Sequence, residues 1–427
     1  MEKKVATVPR VLYNDRLRTR SFLSPLCNSG TRETTEREKE QAKRKKIESE
    51  AKVAKIVILG GGFGGVTVAE ELAKRIGSKH EITLVSRERQ FIFYPALIKL
   101  AFGKLELEDI SFDIREAMYS RGVGFIQGEV ARVDPHSRRV VIAHGDVEGE
   151  MEYDYLVFAL GRRLATERVK GFFEYGNHLL GLDSALKFGE AANRFHRGQA
   201  VLGSCPDARL PIPVYEAAFA LARLLEGRAE REDARITIVS PESANGELGG
   251  AAFQAALNRA LSDHKIEVIH NFDVVEITPG AVCGAGGQYL TYDLLALIPP
   301  FTGPGAVVGL QITDSDGFIR VEHTMRVPGL DRTYAVGDCV GFGGPKLGHM
   351  AVQQASVAAE NLFAELSGKT PKSKYEHELM LVIDEGGGDS IYLHKHLWND
   401  DSEHVHTGRF WGWAKWVQER YWKSQHE

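Results

Sequence analysis

The chain of 427 residues has only four cysteines, Cys27, Cys205, Cys283 and Cys339, with no CxxC pair and no regular spacing. A disulfide scaffold is excluded and a zinc site argued against, so no metal centre is expected; the pattern suits a reducing compartment. No run of about 18 apolar residues occurs, so no spanning helix is expected. Basic charge is not in excess: Lys and Arg number 53 against 58 Asp and Glu, a net charge of −5. A nucleic-acid partner, which needs a concentrated basic face, is therefore not expected. The chain shows no signal-peptide apolar core, and the expected location is cytoplasmic.

A more local absence lies in VLGSCPDARLPIPVYEAAFAL, residues 201 to 221. It has the layout of a nucleotide-binding strand, loop and helix, but Gly203 is followed by Ser204, Cys205, Pro206, Asp207, Ala208 and Arg209, with Pro211 and Pro213 beyond. Prolines remove backbone donors, and Cβ atoms where glycines belong block the approach of a pyrophosphate. The next strand ends in Ser240-Pro241, without a ribose-binding acid. An NAD(P)H site of the usual kind is not expected here.

What the chain does contain is an ordinary enzyme balance, 43% hydrophobic and 26% charged, with length for two or three domains. Residues 1 to 52 differ from the rest. Their run TRETTEREKEQAKRKKIESEAK has no apolar stripe to bury and reads as a disordered extension. Then KIVILGGGFGGVTVAEELAKRI (55 to 76) sets an apolar strand before Gly60, Gly62 and Gly65, and an amphipathic helix after them. This is GxGxxG in its structural context. The first glycine permits the turn, the second lets a pyrophosphate approach the backbone, and the third lets helix and strand pack closely. The strand EITLVS ends at Ser86 where an acid is preferred, with Glu88 as the nearest substitute.

Three later segments, EYDYLVFALG (152 to 161), LIPPFTG (297 to 303) and RTYAVGDCV (332 to 340), complete an ordered set with the first loop. The set resembles the two-dinucleotide-binding-domain flavoproteins. FIFYPALIKLAFG (91 to 103) and GDCVGFGGPKLGHMAV (337 to 352) bring it nearer to the sulfide:quinone reductase family, which is related to flavocytochrome c sulfide dehydrogenase and type II NADH dehydrogenase. The resemblance covers about residues 55 to 370.

It implies an α/β fold with two Rossmann-like domains, the FAD domain split in sequence (53–165 and 300–370) around a second domain (166–299), and a C-terminal cap (371–427). It implies FAD held by Gly60, Gly62, Phe63, Gly64, Gly65, Ser86, Pro95, Val130, Ala159, Gly161, Gly337, Asp338, Lys346 and Gly348. Asp338 would hold the ribityl and pyrophosphate region. The helix after it would turn its N-terminus toward the flavin, stabilising negative charge there. It implies a small electron donor, sulfide or a related species, and a quinone acceptor.

One departure is serious. Members of that family use two redox cysteines, and the segment KYEHELMLVIDEGGG (374 to 388) contains none. Cys205 and Lys346 remain the catalytic candidates, Cys205 with the alternative of a buried, inert thiol. NADH:quinone reduction, supported by Gln353 and Gln354, is one rival reading. A flavin-bound interaction protein without turnover is the other.

All five tryptophans lie between 398 and 422. Phe410, Trp413, Ala414, Val417 and Tyr421 share one helical face, with Trp411 and Trp422 beside it. That face suits the inner surface of the cell membrane through residues 408–427, the protein's own core, or a second copy in a homo-oligomer.

Overall fold

A computed structural model describes residues 53–228, 230–242, 248–398 and 402–424; the extension expected over 1–52 and Cys27 lie outside the described residues. Strand β1 (Lys55–Leu59) buries every side chain from Ile56 to Leu59. An apolar run without alternation belongs inside a parallel sheet covered on both faces, where each such side chain contributes roughly 2 kcal/mol. Helix α1 (Phe63–Ile76) leads to β2 (Glu81–Ser86), which pairs parallel with β1 from Lys55↔Glu81 to Leu59↔Val85. Strand β3 (Gly124–Gln127) extends the sheet past β2. An antiparallel excursion, β4 (Glu129–Asp134), β5 (Arg139–Ala143) and β6 (Gly149–Glu152), precedes β7 (Tyr155–Phe158), which returns to the far side of β1.

The second half repeats this plan. Strand β8 (Gly198–Ser204), helix α2 (Ile212–Gly227), β9 (Ala234–Val239), helix α3 (Ala251–Asp263) and β10 (Ile266–Ile269) build a parallel sheet. A three-stranded antiparallel excursion follows: β11 (Val274–Thr278), β12 (Ala281–Gly284) and β13 (Tyr289–Thr291). Strand β14 (Leu294–Ile298) then closes on β8, giving the order β10-β9-β8-β14, which matches β3-β2-β1-β7 of the first half.

The chain then goes back to the first sheet. Strand β15 (Thr333–Ala335) pairs with β7 as the fifth strand. Helix α4 (Gly348–Leu366) buries Ala351, Ala355, Ala358 and Ala359, side chains small enough for close helix packing, and its Ser356 hydroxyl donates to Glu71 of α1 at 2.5 Å. The architecture is α/β with two Rossmann-like sheets, the first assembled from separated parts of the sequence.

The cap is an antiparallel meander, β16 (Glu378–Asp384), β17 (Ser390–His396) and β18 (Glu403–Thr407), followed by helix α5 (Arg409–Ser424). Side chains tie it to the second half. The Glu403 carboxylate accepts from the backbone N–H of Gly250, Ala252 and Phe253 at 2.5, 2.8 and 3.3 Å, satisfying the start of α3. The Lys415 ammonium of α5 donates to Glu216 of α2 at 2.6 Å, with both side chains nearly closed to solvent. No helix among the described residues is long and apolar enough to cross a membrane.

Candidate flavin and donor site

The loop after β1 is shaped by three contacts. Gly60 has φ +114°, in the region that favours glycine, and a Cβ there would lie 2.1 Å from the Ala159 carbonyl oxygen. A Cβ at Gly65 would lie 1.8 Å from the Gly60 carbonyl oxygen, and one at Gly64 2.9 Å from Val336. At Gly62 a Cβ would meet nothing within 4 Å, and no side chain accepts from the α1 N-terminus that Gly62 caps. Open space faced by helix N–H donors is what a pyrophosphate requires. Ser86 is buried and its hydroxyl donates to the Glu88 carbonyl at 2.8 Å, while the Glu88 carboxylate turns outward to Arg87.

The late strand brings a second set of groups to the same region. Gly337 donates its N–H to the buried Gln354 side chain at 2.7 Å, and the next residue, Asp338, pairs with Arg162. Arg162 follows Gly161 in the turn after Ala159, and its guanidinium lies 4.3 Å over the Phe301 ring. Arg162 Nε and Thr302 Oγ1 are buried without a hydrogen-bond partner. Helix α4 begins at Gly348, where a Cβ would sit 3.1 Å from the Phe63 ring at the start of α1. The N-termini of α1 and α4 thus meet at Phe63, and the positive ends of two helix dipoles face one place.

Phe63 also belongs to an aromatic cluster that the sequence reading did not contain. Trp422 of α5 packs among Phe63, Phe91, Phe93 and Phe112, with ring centroids 4.5–5.7 Å apart. The end of the C-terminal helix is therefore seated on the Phe63 ring at the start of α1. Each ring pair adds about 1 kcal/mol beyond burial. Pro95 is exposed on the turn Tyr94–Ala96 beside Phe93, and Val130 is half-buried at a register shift between β4 and β5.

Lys346, expected beside the flavin, folds its ammonium back onto its own turn, in the concavity it lines with Gly337 and Asp338. Its ammonium donates to the carbonyls of Val340 and Phe342 and lies 4.7 Å over the Phe318 ring. Burial lowers its pKa to about 8, against a partial pull upward from Asp338. The amine holds the 340–346 turn together. Cys205 is fully buried among Val201, Val239 and Phe172, and desolvation pushes its thiol up to about 12. A thiol so placed is not ionised at neutral pH and is closed to a donor, so the structure gives Cys205 the role of core packing. Cys339 is likewise buried, with its Sγ against the carbonyls of Val336 and Phe158. Cys205, Cys283 and Cys339 are all unpaired thiols.

The loop after β8 is committed to the protein itself. Cys205 donates its N–H to Ile298, while the carbonyls of Asp207 and Arg209 accept from Phe301 and Lys346 at 3.1 and 2.8 Å. Asp207 adopts φ +62°, and Arg209 donates to the Phe342 carbonyl and stacks over Phe318. Pro211 and Pro213 occupy the start of α2, where a nucleotide loop would offer N–H groups. The strand-loop-helix layout persists as the wall against which residues 340–346 fold.

With two matching sheets and one intact loop described, the comparison with known proteins is decisive. The family model for pyridine nucleotide-disulphide oxidoreductase matches residues 54–355. The chain belongs to that family. It is an FAD-dependent oxidoreductase, and the space before Gly62, the uncapped α1 and the partnerless Arg162 Nε and Thr302 Oγ1 fit such a group. Among its relatives, mitochondrial sulfide:quinone oxidoreductase of Mus musculus is 23% identical over 75% of this chain and 73% of its own. Type II NADH:quinone oxidoreductase of Haemophilus influenzae is 25% identical over 77% of this chain and 84% of its own. The crystal structure of sulfide:quinone oxidoreductase from Aquifex aeolicus superposes with a TM-score of 0.81 at 23% identity, covering 88% of this chain and 91% of that one. The sulfide:quinone reductase-like fold read from the spaced signatures stands.

Proposed function

We propose that the protein passes electrons from a small donor through FAD to a quinone, as a sulfide:quinone reductase-type enzyme. The observation that carries this reading is the second loop, where Pro211 and Pro213 stand at the start of α2 and offer no N–H donors at the positions a nucleotide phosphate would need. Bound FAD supplies the two-electron relay. Gly60 to Gly65 and the α1 N-terminus would hold its pyrophosphate, Asp338 and Arg162 would hold the ribityl side, and the α4 N-terminus would stabilise negative charge at the ring. The wall made by residues 201–215 shields the donor face from water.

The rival reading, NADH as donor, leaned on Gln353 and Gln354. Gln354 is consumed in fixing the Gly337 turn, and Gln353 donates to Glu378 at 3.4 Å. Steady-state turnover tests the proposal: sulfide is expected to reduce a short-chain quinone at least tenfold faster than NADH does. The reverse order would reject it.

The acceptor side is the C-terminal helix, which carries a divided set of aromatics. Trp411 stacks on Tyr392 at 4.1 Å and Trp422 is packed inward, whereas Phe410, Trp413 and Val417 are exposed, by 51%, 57% and 38%. The Tyr421 side chain lies outside the described ones. The outward stripe suits reversible attachment to a membrane, where quinones reside, at roughly 2 kcal/mol per inserted side chain and about 4–6 kcal/mol in all. Phe410→Asp with Trp413→Asp is expected to lower the fraction pelleting with anionic vesicles at least tenfold while the flavin stays bound. Unchanged pelleting would remove the attachment.

A further inference from the structure

The cap holds a cluster that the electron path does not use. Strands β16 and β17 pair so that Glu378 lies directly opposite His396, and Met380 opposite His394. Side chains two residues apart on a strand share a face, so Glu378, His394 and His396 all project to the same side. Glu378 Oε2 lies 3.7 Å from His394 Nε2, and Oε1 lies 3.6 Å from His396 Nδ1. One ligand atom from each of the three residues falls within 4.8 Å of the others. His394 Nε2 is buried and makes no hydrogen bond, although both other groups face it.

We propose that Glu378, His394 and His396 form a binding site for one divalent transition-metal ion of the zinc class. Two neutral imidazoles and one carboxylate suit that class, and a single carboxylate is too few oxygen donors for calcium or magnesium. Donor atoms about 2.0–2.1 Å from a tetrahedral ion lie roughly 3.3 Å apart, so three donors already within 4.8 Å of one another close on an ion by side-chain rotation, without movement of the paired strands. The ion takes the lone pair of His394 Nε2, which has no other use. Glu378 is held in place by Gln353, whose amide of α4 donates to it, the outer-shell support that metal-binding carboxylates ordinarily have. His394 and His396 are 26% and 38% exposed, which leaves an entry path and an open fourth position for water. His404 of β18, paired opposite His394 with ring centroids 6.2 Å apart, stands next to that position. The expectation of no metal rested on the cysteine pattern and did not weigh a histidine set made by strand register.

A bound ion would clasp β16 to β17 beside the first turns of α4, where His349 and Gln353 contact Glu378. The test is calorimetric titration of tag-free, EDTA-treated holoprotein with zinc sulfate, with magnesium and calcium chloride in parallel. One zinc per flavin is expected, with no saturable heat from the other two ions. His396→Ala and Glu378→Gln are each expected to weaken zinc binding tenfold or more at unchanged flavin content. Absence of stoichiometric zinc, or affinity unchanged in both variants, would overturn the assignment. Should the variants fail to fold, copper(II) resonance spectra of the wild-type protein decide: two coupled nitrogens support the site, and a spectrum of solvated copper rejects it.

Discussion

Gly62→Val is expected to yield a folded protein that purifies without colour. A Cβ at this position meets no protein atom within 4 Å, and φ −82° with ψ −171° is extended backbone that valine adopts readily. The fold therefore loses almost nothing. What the valine fills is the space before the α1 N-terminus, where the pyrophosphate approaches the backbone. Flavin content is expected to fall at least a hundredfold while the circular dichroism of the purified protein stays that of the wild type. Gly65→Ala is the contrast: its methyl group would stand 1.8 Å from the Gly60 carbonyl oxygen, so there the damage is to folding. Gly62→Val protein that remains yellow would show that the loop does not hold the cofactor.

Lys415→Met is expected to loosen the cap strongly and in a pH-dependent way. Glu216 is buried, and burial raises its pKa while Lys415 draws it back down. Breaking a buried pair leaves an uncompensated charge, at a cost of about 3–5 kcal/mol. The folded-state pKa of Glu216 lies above its unfolded value near 4.5, so the stability linked to this carboxyl is present at low pH and is lost as pH rises through the folded value. Removing the lysine raises the folded value further. The deficit of the variant in thermal midpoint should be large at pH 8 and shrink toward pH 5, where Glu216 takes up a proton. Adding Glu216→Gln should recover most of it at pH 8. A deficit independent of pH would mean that packing of the lysine stem, not charge, holds α5 in place.

Much of the first half was legible because its chemistry constrains neighbouring residues. A pyrophosphate loop needs small residues at fixed short intervals, and an apolar strand before it and a helix after it are local patterns. The degenerate second loop was legible for the same reason, since Pro211 and Pro213 are visible in a linear reading. The features that were missed join distant positions. Arg162 meets Asp338 across 176 residues, and Lys415 meets Glu216 across 199. Nothing local distinguishes Trp422, which turns into the Phe63 cluster, from Trp413, which faces outward. The place of Lys346 in the motif does not reveal that its ammonium donates to the Val340 and Phe342 carbonyls of its own turn. Glu378 and His396 become neighbours only through hairpin register. The alternation of His394 and His396, with His404 and His406 on the next strand, was the signal that could have found that face.

The central claim is that the duplicated half is a wall and not a nucleotide site, so that the donor is small. It is tested most directly by anaerobic titration of the purified yellow protein, following the oxidised-flavin absorption band with sulfide in one cuvette and NADH in another. The account predicts bleaching by stoichiometric sulfide and an unchanged spectrum with NADH. Bleaching by NADH alone would contradict it, because a nucleotide would then be held beside the flavin by a loop in which Pro211 and Pro213 supply no N–H donors.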